Sequence, residues 1–305
     1  MAKHVVTGAF SYTGRFIAEE LLRHGHTVRT LTRRADDTSP LREKIDARPF
    51  DFDRPEVLAR HLENADVLYN TYWVRFNQGE NGFETAITNT QILLDAAKKA
   101  GVRKFVHISV SNPSLSSPLD YYRGKAVLEE RVKQSGIPYA IIRPTLVFGP
   151  HDLLLNNIAW FLRRFPVFFI PGSGDYRMQP VAVEDVARLA VDAGESAESS
   201  ILTAAGPDTY RFDELVARIA KQTGGRARRF HMPLSVVELA CRVLGMVIKD
   251  VILTKQEIEG LMASLLVSQD APTGVRRFDD WLNQERNTLG QRYQSELRRN
   301  FSIPA

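Results

Sequence analysis

Tyr121 and Lys125 stand four residues apart in a segment whose apolar spacing predicts a helix from about Leu119 to Ser135, so both side chains share one helical face. A free phenol ionises near pH ~10 and is a poor acid or base at neutral pH. A neighbouring ammonium favours the phenolate and brings the group towards working range, which makes the pair a candidate proton relay. Ser109 and Ser111 lie just upstream, at the end of a predicted strand, where a hydroxyl can hydrogen-bond a substrate oxygen. Tyr122, three before Lys125, leaves the register of the tyrosine open. Alone, a Tyr-x-x-x-Lys pair is as readily a half-buried ring beside a solvated amine. Its meaning depends on whether the helix starts at an edge where a ligand is held.

The stretch from Lys3 to Arg34 supplies a holder. His4–Val6 reads as a buried strand, Gly8 and Gly14 bracket a tight loop, and Phe16, Ile17, Leu21 and Leu22 recur at helical spacing. Gly25 ends that helix and Thr27–Leu31 reads as a second strand. A strand–loop–helix–strand unit of this kind wraps a dinucleotide, with the pyrophosphate at the positive helix start. The candidate cofactor-binding residues of the loop are Gly8, Phe10, Ser11, Tyr12, Thr13 and Gly14. Ser11 stands where the usual fingerprint has its middle glycine, and its hydroxyl or N–H can donate to a phosphate oxygen. The second strand ends in Thr32, Arg33 and Arg34, with no carboxylate to accept from a ribose 2′-OH. A guanidinium forks well onto a 2′-phosphate, so NADP(H) is expected in preference to NAD(H), with Arg33 the first choice.

Stepping along the 305 residues, strands and helices alternate. Strands are expected at Ala47–Phe52, Asp66–Asn70, Arg103–Ile108 and Tyr139–Arg143, and helices at Pro55–Leu62, Phe83–Ala100 and Leu119–Ser135. This predicts an α/β, Rossmann-type doubly wound parallel sheet. Ligands sit beyond the carboxyl ends of such strands. Those ends are Thr7, Thr32, Asp51, Asn70, Ser109 and Arg143. After Pro150 the pattern turns helix-rich, with helices expected at Leu153–Arg164, Val183–Ala193, Phe212–Thr223, Leu234–Lys249, Lys255–Val267 and Val275–Arg299. The expected organisation is a dinucleotide-binding domain over residues 1–150, joined by a return segment at about 178–205. A smaller substrate lobe over 151–305 is interleaved with it.

With hydrophobic residues at 44% and charged residues at 25%, the composition is that of a globular protein, and a net charge of +4 does not argue for nucleic acid. No transmembrane segment, signal peptide or internal repeat is read. Cys241 is the only cysteine, so neither an internal disulfide nor a cysteine metal cluster is expected. No metal ligands are assigned. Leu239, Ala240 and Val243 suggest that the thiol is buried, and a reducing cytoplasm fits. The apolar residues Leu153–Leu155, Trp160 and Phe165–Phe169 are read as a rim for a hydrophobic substrate portion or a protein contact.

Over roughly residues 3–195 the chain resembles extended or atypical short-chain dehydrogenases/reductases of the NAD-dependent epimerase/dehydratase and NmrA-like group. TGAFSYTG at Thr7–Gly14 resembles the family's TGATGFIG loop, and NTQILLDAAKKAGVRKFVHIS at Asn89–Ser109 its long helix and fifth strand. YYRGKAVLEE resembles the catalytic helix, IIRPTLVFGP the RPxxVYGP segment along the nicotinamide, and MQPVAVEDVA the segment returning from the substrate lobe. The resemblance implies that Tyr121 and Lys125 are the catalytic pair, with Ser111 or Ser109 as the serine. It further implies an adenine contact at Asp51 and Phe52, a ribose-side loop at Asn70 and Thr71, and a nicotinamide wall at Pro144 and Thr145. Two functions then compete. One is an NADP(H)-dependent oxidoreductase or epimerase-like enzyme acting on a small molecule with a carbonyl or alcohol. The other is a non-catalytic NADPH-binding module with a protein partner, similar to NmrA-like redox sensors or the NADPH-binding accessory subunit of respiratory complex I. A nucleotide-sugar substrate would call on Arg163, Arg164 and Arg177 for its diphosphate.

Overall fold

The computed structural model describes residues 2–33 and 39–300. Arg34 therefore lies outside the described residues. In chain order the first part runs β1 (Lys3–Thr7), α1 (Tyr12–Arg23), β2 (Thr27–Thr32), a 3-10 turn (Pro40–Glu43), β3 (Asp46–Pro49), α2 (Pro55–Leu62), β4 (Val67–Asn70), α3 (Phe83–Lys99), β5 (Lys104–Ile108), α4 (Asp120–Gln134) and β6 (Tyr139–Pro144). There follow β7 (Leu146–Phe148), α5 (Leu154–Arg164), β8 (Val167–Pro171), β9 (Arg177–Met178), β10 (Pro180–Ala182), α6 (Val183–Glu195) and β11 (Ser200–Ala204). The last elements are β12 (Tyr210–Arg211), α7 (Phe212–Thr223), β13 (Arg228–Met232), α8 (Leu234–Ile248), α9 (Lys255–Met262), α10 (Phe278–Gln284) and α11 (Glu296–Asn300). These elements form two compact units. One is the chain up to Pro144 with Val183–Ala204; the other is Thr145–Ala182 with the chain from Ala205 onward.

The first unit is built on a seven-stranded sheet in the order β11-β6-β5-β4-β1-β2-β3. Every pairing in it is parallel. Its central strands are buried on both faces, as KFVHI in β5 shows, because helices cover both sides. Helices α2, α3 and α4 cover one face, where Leu58, Leu93, Ala97 and Val132 pack on Val5, Leu31, Leu68, Phe105 and Ile141. Helices α1 and α6 pack together against the other. Each fully buried Leu or Phe contributes roughly 1.5–3 kcal/mol by leaving water. The chain reverses its direction of strand addition between β1 and β4, which opens a crevice at their carboxyl ends. The fold is the Rossmann-type doubly wound sheet that the strand and helix alternation predicts.

The second unit holds three two-stranded ribbons and its own core. Strands β7 and β10 pair in parallel, as do β8 and β13, while β9 and β12 are antiparallel. Phe148, Leu155, Ile158, Leu162, Met178, Leu215, Ile219, Phe278 and Trp281 are buried together there. Of the expected apolar rim, Leu155 is fully buried in this core and Leu154 and Phe168 pack against it, while Trp160, partly buried, lies edge-on to Phe161, Phe165 and Tyr293. Val167 is exposed.

Two helices are shorter than their periodicity suggests. α9 stops at Met262, and Ser264 follows with a positive φ of 54°. The expected helix over 275–299 is broken after Gln284, where α10 ends; beyond it Gly290 turns at φ +72°, and a Cβ there would stand 2.6 Å from the Ala159 backbone. The surroundings of Cys241 also differ from expectation. Leu239 and Val243 face outward with Met246 and Val247, although burial still pushes the thiol up to about 11, helped by the Glu257 charge. Among the described residues no helix is long and apolar enough to cross a membrane.

Candidate functional site

The glycine loop closes through its own backbone. Gly8 sits at φ +67° and its N–H donates to Leu31 O at 2.9 Å, tying the loop to β2. The Ser11 N–H and Ser11 hydroxyl both donate to Gly8 O, at 2.8 and 2.6 Å. Ser11 thus spends both donors on the turn. A Cβ on Gly14 would stand 2.3 Å from Gly8 O, so only glycine lets α1 begin this close to the strand. Helix α1 has no side-chain cap. Thr13 and Gly14 lie in its first turn, where N–H groups have no intrahelical partner and the helix dipole is positive. This cradle fits a pyrophosphate. Phe10 and Tyr12 flank it half-buried, Tyr12 edge-on to Phe16.

Along the same edge, Arg33 follows β2 exposed and makes no ion pair with another described residue. The Asp51 carboxylate accepts from Arg54 Nε at 2.6 Å and from the Asp53 N–H at 3.0 Å. The Arg54 hydrogen bond holds it below the usual carboxylate range. Phe52 packs on Phe50 and Tyr72, with ring centroids 4.4 and 5.2 Å away. Asn70 is fully buried. Its Oδ1 accepts from the Thr7 hydroxyl at 3.3 Å and the Tyr72 N–H at 3.1 Å, and its Nδ2 donates to His107 Nδ1 at 3.2 Å. Thr71 completes the knot, its hydroxyl donating to Thr7 O and its N–H to Thr7 Oγ1. The Asn70 side chain therefore locks the ends of β1, β4 and β5 together instead of facing outward.

Tyr121 and Lys125 both lie on α4, in the register that the spacing predicts. Tyr121 is half-buried, edge-on to Trp73, Phe83 and Tyr122. Lys125 is 3% exposed; its ammonium donates to Ile108 O at 2.8 Å and lies 4.8 Å from the centre of the Trp73 ring. Burial brings it down to about 7, against a partial opposing pull from Glu129. A Cβ on Gly124 would stand 2.9 Å from the Trp73 ring, so the glycine seats that indole. The two serines differ. The Ser109 hydroxyl donates to Glu129 Oε1 at 2.6 Å, and Glu129 is paired twice over with Arg143. Ser111 is buried, with its N–H on Pro144 O at 2.9 Å. In the second unit the Thr145 hydroxyl donates to Gln179 O at 2.6 Å, and the Arg163 guanidinium to the Leu289 and Arg286 carbonyls. Arg164 and Arg177 are exposed.

Comparison with known proteins agrees with this geometry. A family model described as NAD(P)H-binding matches residues 8–152. The mitochondrial NADH dehydrogenase [ubiquinone] 1 alpha subcomplex subunit 9 of Mus musculus is 28% identical over 280 residues, covering 88% of this chain and 73% of that protein. Sterol demethylase protein B of Methylococcus capsulatus is 30% identical over 228 residues, covering 65% of this chain and 69% of that one. Among solved structures, a nucleoside-diphosphate-sugar epimerase from Staphylococcus aureus superposes with a TM-score of 0.73 at 16% identity, covering 93% of this chain and all of that one. The chain belongs to the extended, NmrA-like branch of the short-chain dehydrogenases/reductases.

For a short-chain dehydrogenase/reductase, the residues that sequence reasoning missed are instructive. Trp73, Glu129, His107 and Arg143 shape the surroundings of Tyr121 and Lys125, and the sequence alone gives none of them a role there. Glu129 was the most accessible, one helical turn beyond Lys125 on the same face. Trp73 lies three residues past the end of β4 and had only its place at the ligand edge to mark it.

Proposed function

We propose that this chain is an NADP(H)-dependent oxidoreductase acting on a carbonyl or alcohol. The observation that supports this most is that Tyr121 and Lys125 start their helix at the same sheet edge as the glycine cradle, within one unit. In this reading the first turn of α1 binds the pyrophosphate, Arg33 takes the 2′-phosphate, and Phe52 lies alongside the adenine. When bound, the nicotinamide supplies the hydride chemistry. Tyr121 then gives or takes the proton at the substrate oxygen, with Ser111 or Ser109 holding that oxygen; the Ser109 hydroxyl donates to Glu129 in the resting arrangement. Lys125, on the phenol's helix face, is the ammonium that would favour the phenolate, although burial pulls its own pKa down to about 7. Withdrawal of its ammonium from Ile108 O would free it for a ribose hydroxyl.

A second reading rests on that last contact. Lys125 held by Ile108 O and Trp73, and Ser109 held by Glu129, also describe a site that binds NADPH without turning it over. The alpha subcomplex subunit named above makes a role as a subunit with a protein partner the natural form of this alternative. The test is to purify the protein, identify the nucleotide that accompanies it, and follow nicotinamide absorbance with a panel of ketones and aldehydes. Bound NADPH with turnover supports the enzyme; bound NADPH without turnover supports the binding module; no nucleotide affinity refutes both.

A further inference from the structure

We propose that the opposite edge of the seven-stranded sheet carries a transition-metal site made by His24, His26 and Glu195. Three elements end there. His24 is the residue that closes α1, Gly25 turns the chain at φ +77°, His26 leads into β2, and Glu195 is the last residue of α6. Glu195 Oε1 lies 2.9 Å from His26 Nε2 and 3.3 Å from His24 Nδ1, and one donor atom from each residue falls within 4.8 Å of both others. Donors bound tetrahedrally to Zn²⁺ at about 2.0–2.1 Å stand about 3.3 Å from one another. The His24–Glu195 separation matches that spacing, the His26–Glu195 separation is 0.4 Å shorter, and the two imidazole donors lie within 4.8 Å of each other.

The surroundings are those of a built site. His24 Nε2, the nitrogen left over, lies 3.2 Å from Glu20 Oε1, and Glu20 is only 6% exposed. A carboxylate behind a ligating imidazole fixes its tautomer and raises its basicity. The His26 ring is backed by His4 at 4.3 Å between centroids. His4 is 1% exposed and has no hydrogen-bond partner at either ring nitrogen, so nothing in the hydrogen-bonding of the fold explains a histidine there. Arg23 is paired with Glu20, and behind the cluster Asp66 acts on His4 and Asp192 on Tyr69. Two imidazoles and one carboxylate favour Zn²⁺, Co²⁺ or Ni²⁺ over Mg²⁺ or Ca²⁺, which prefer all-oxygen donors. The ion would clip the end of α1 to the end of α6, bracing the helix whose other end carries the glycine cradle. Sequence alone hides the site, because Glu195 lies about 170 residues from the histidines, as the His26–Glu195 separation of 169 shows.

The test uses full-length, tag-free protein stripped with a chelator and titrated with Zn²⁺, and separately with Co²⁺. One equivalent should bind with micromolar or tighter affinity, Co²⁺ should develop the visible absorption of a low-symmetry four-coordinate site, and Zn²⁺ should raise the melting temperature. Glu195→Gln and His26→Ala should each weaken binding at least tenfold, and Glu20→Gln about tenfold through the His24 imidazole. Glu195 is exposed, so its variant should fold even if His26→Ala does not. Absence of binding, or binding equally tight in Glu195→Gln, overturns the proposal. Nucleotide binding is measured in parallel, and its outcome bears on the opposite edge alone.

Discussion

At the carboxyl edge of the sheet, Asn70 ties Thr7, Tyr72 and His107 into one hydrogen-bonded knot, whereas at the amino edge His4 is buried with no partner for either ring nitrogen, its ring 5.7 Å from that of Tyr69, which comes from the far end of β4 with its hydroxyl equally unpartnered. Both arrangements lie in the same layer of the same unit. The Tyr69 hydroxyl is sealed under Gly194, where a Cβ would approach it to 2.3 Å. A satisfied buried network fixes geometry, while an unsatisfied buried group costs about 1–3 kcal/mol. The contrast separates a scaffold that is already set from a region whose polar groups await explanation, and each of the following experiments presses on it.

The largest effect belongs to the phenol. Tyr121→Phe should lower carbonyl turnover by about two to four orders of magnitude while NADPH titration is unchanged, because only the transferable proton is removed. Unaltered turnover would shift the role to Tyr122 or end the enzymatic reading. Next come the two buried polar centres. Asn70→Ala strands the Tyr72 N–H and His107 Nδ1 at once, while Thr7 keeps Tyr69 O and the Thr71 N–H, and should cost about 2–4 kcal/mol in urea unfolding. His4→Leu loses no hydrogen bond and should stay within about 1 kcal/mol of the parent at pH 7. Equal losses would erase the difference between the edges.

The edges should also separate along the pH axis. Burial lowers His4 from 6.5 to about 4, and Lys125 from 10.5 to about 7. For each base the unfolded chain binds a proton that the folded chain lacks between the two values, so stability rises with pH across that window. His4 thus contributes a gain between pH about 4 and 6.5, and Lys125 another between about 7 and 10.5. Each window spans about 2 kcal/mol or more. His4→Leu should flatten the acid limb only, and Lys125→Met the alkaline limb only. Melting curves at closely spaced pH values check both, and a variant that flattens the wrong limb refutes its assignment.

The parallel sheet was readable because its strands are short apolar runs punctuated by Gly8, Gly25 and Gly101, and that pattern needs no long-range information. The close packing of Gly290 on Ala159 was not, because the two lie far apart in sequence. At the site, the spacing of Tyr121 and Lys125 and the bracketing glycines were legible for the same local reason. The uses of Ser11, Ser109 and Asn70 were not. A hydroxyl or amide offers the same donors to a ligand as to a neighbouring carbonyl or carboxylate, and only cross-strand packing decides which it meets. Helix spacing therefore put Lys125 on α4 with Tyr121, but could not show that Trp73 and Ile108 O receive its ammonium.

The smallest effect tests whether charge at the carboxyl edge is poised for a ligand or merely solvated. Arg48 on β3 is paired with Asp46, which also holds Arg29, whereas Arg33 at the end of β2 has no such partner among the described residues. A paired guanidinium has little to offer an incoming phosphate; an unpaired one can form a charge-assisted fork. NADPH should therefore bind at least about tenfold tighter than NADH, a difference of about 1.4 kcal/mol. Arg33→Ala should remove most of that preference by weakening NADPH alone, and Arg48→Ala should leave it intact. Titration of both nucleotides against the three proteins distinguishes the cases. Equal affinities in the parent, or a preference that survives Arg33→Ala, would put the discrimination elsewhere and leave Arg33 a solvated surface charge.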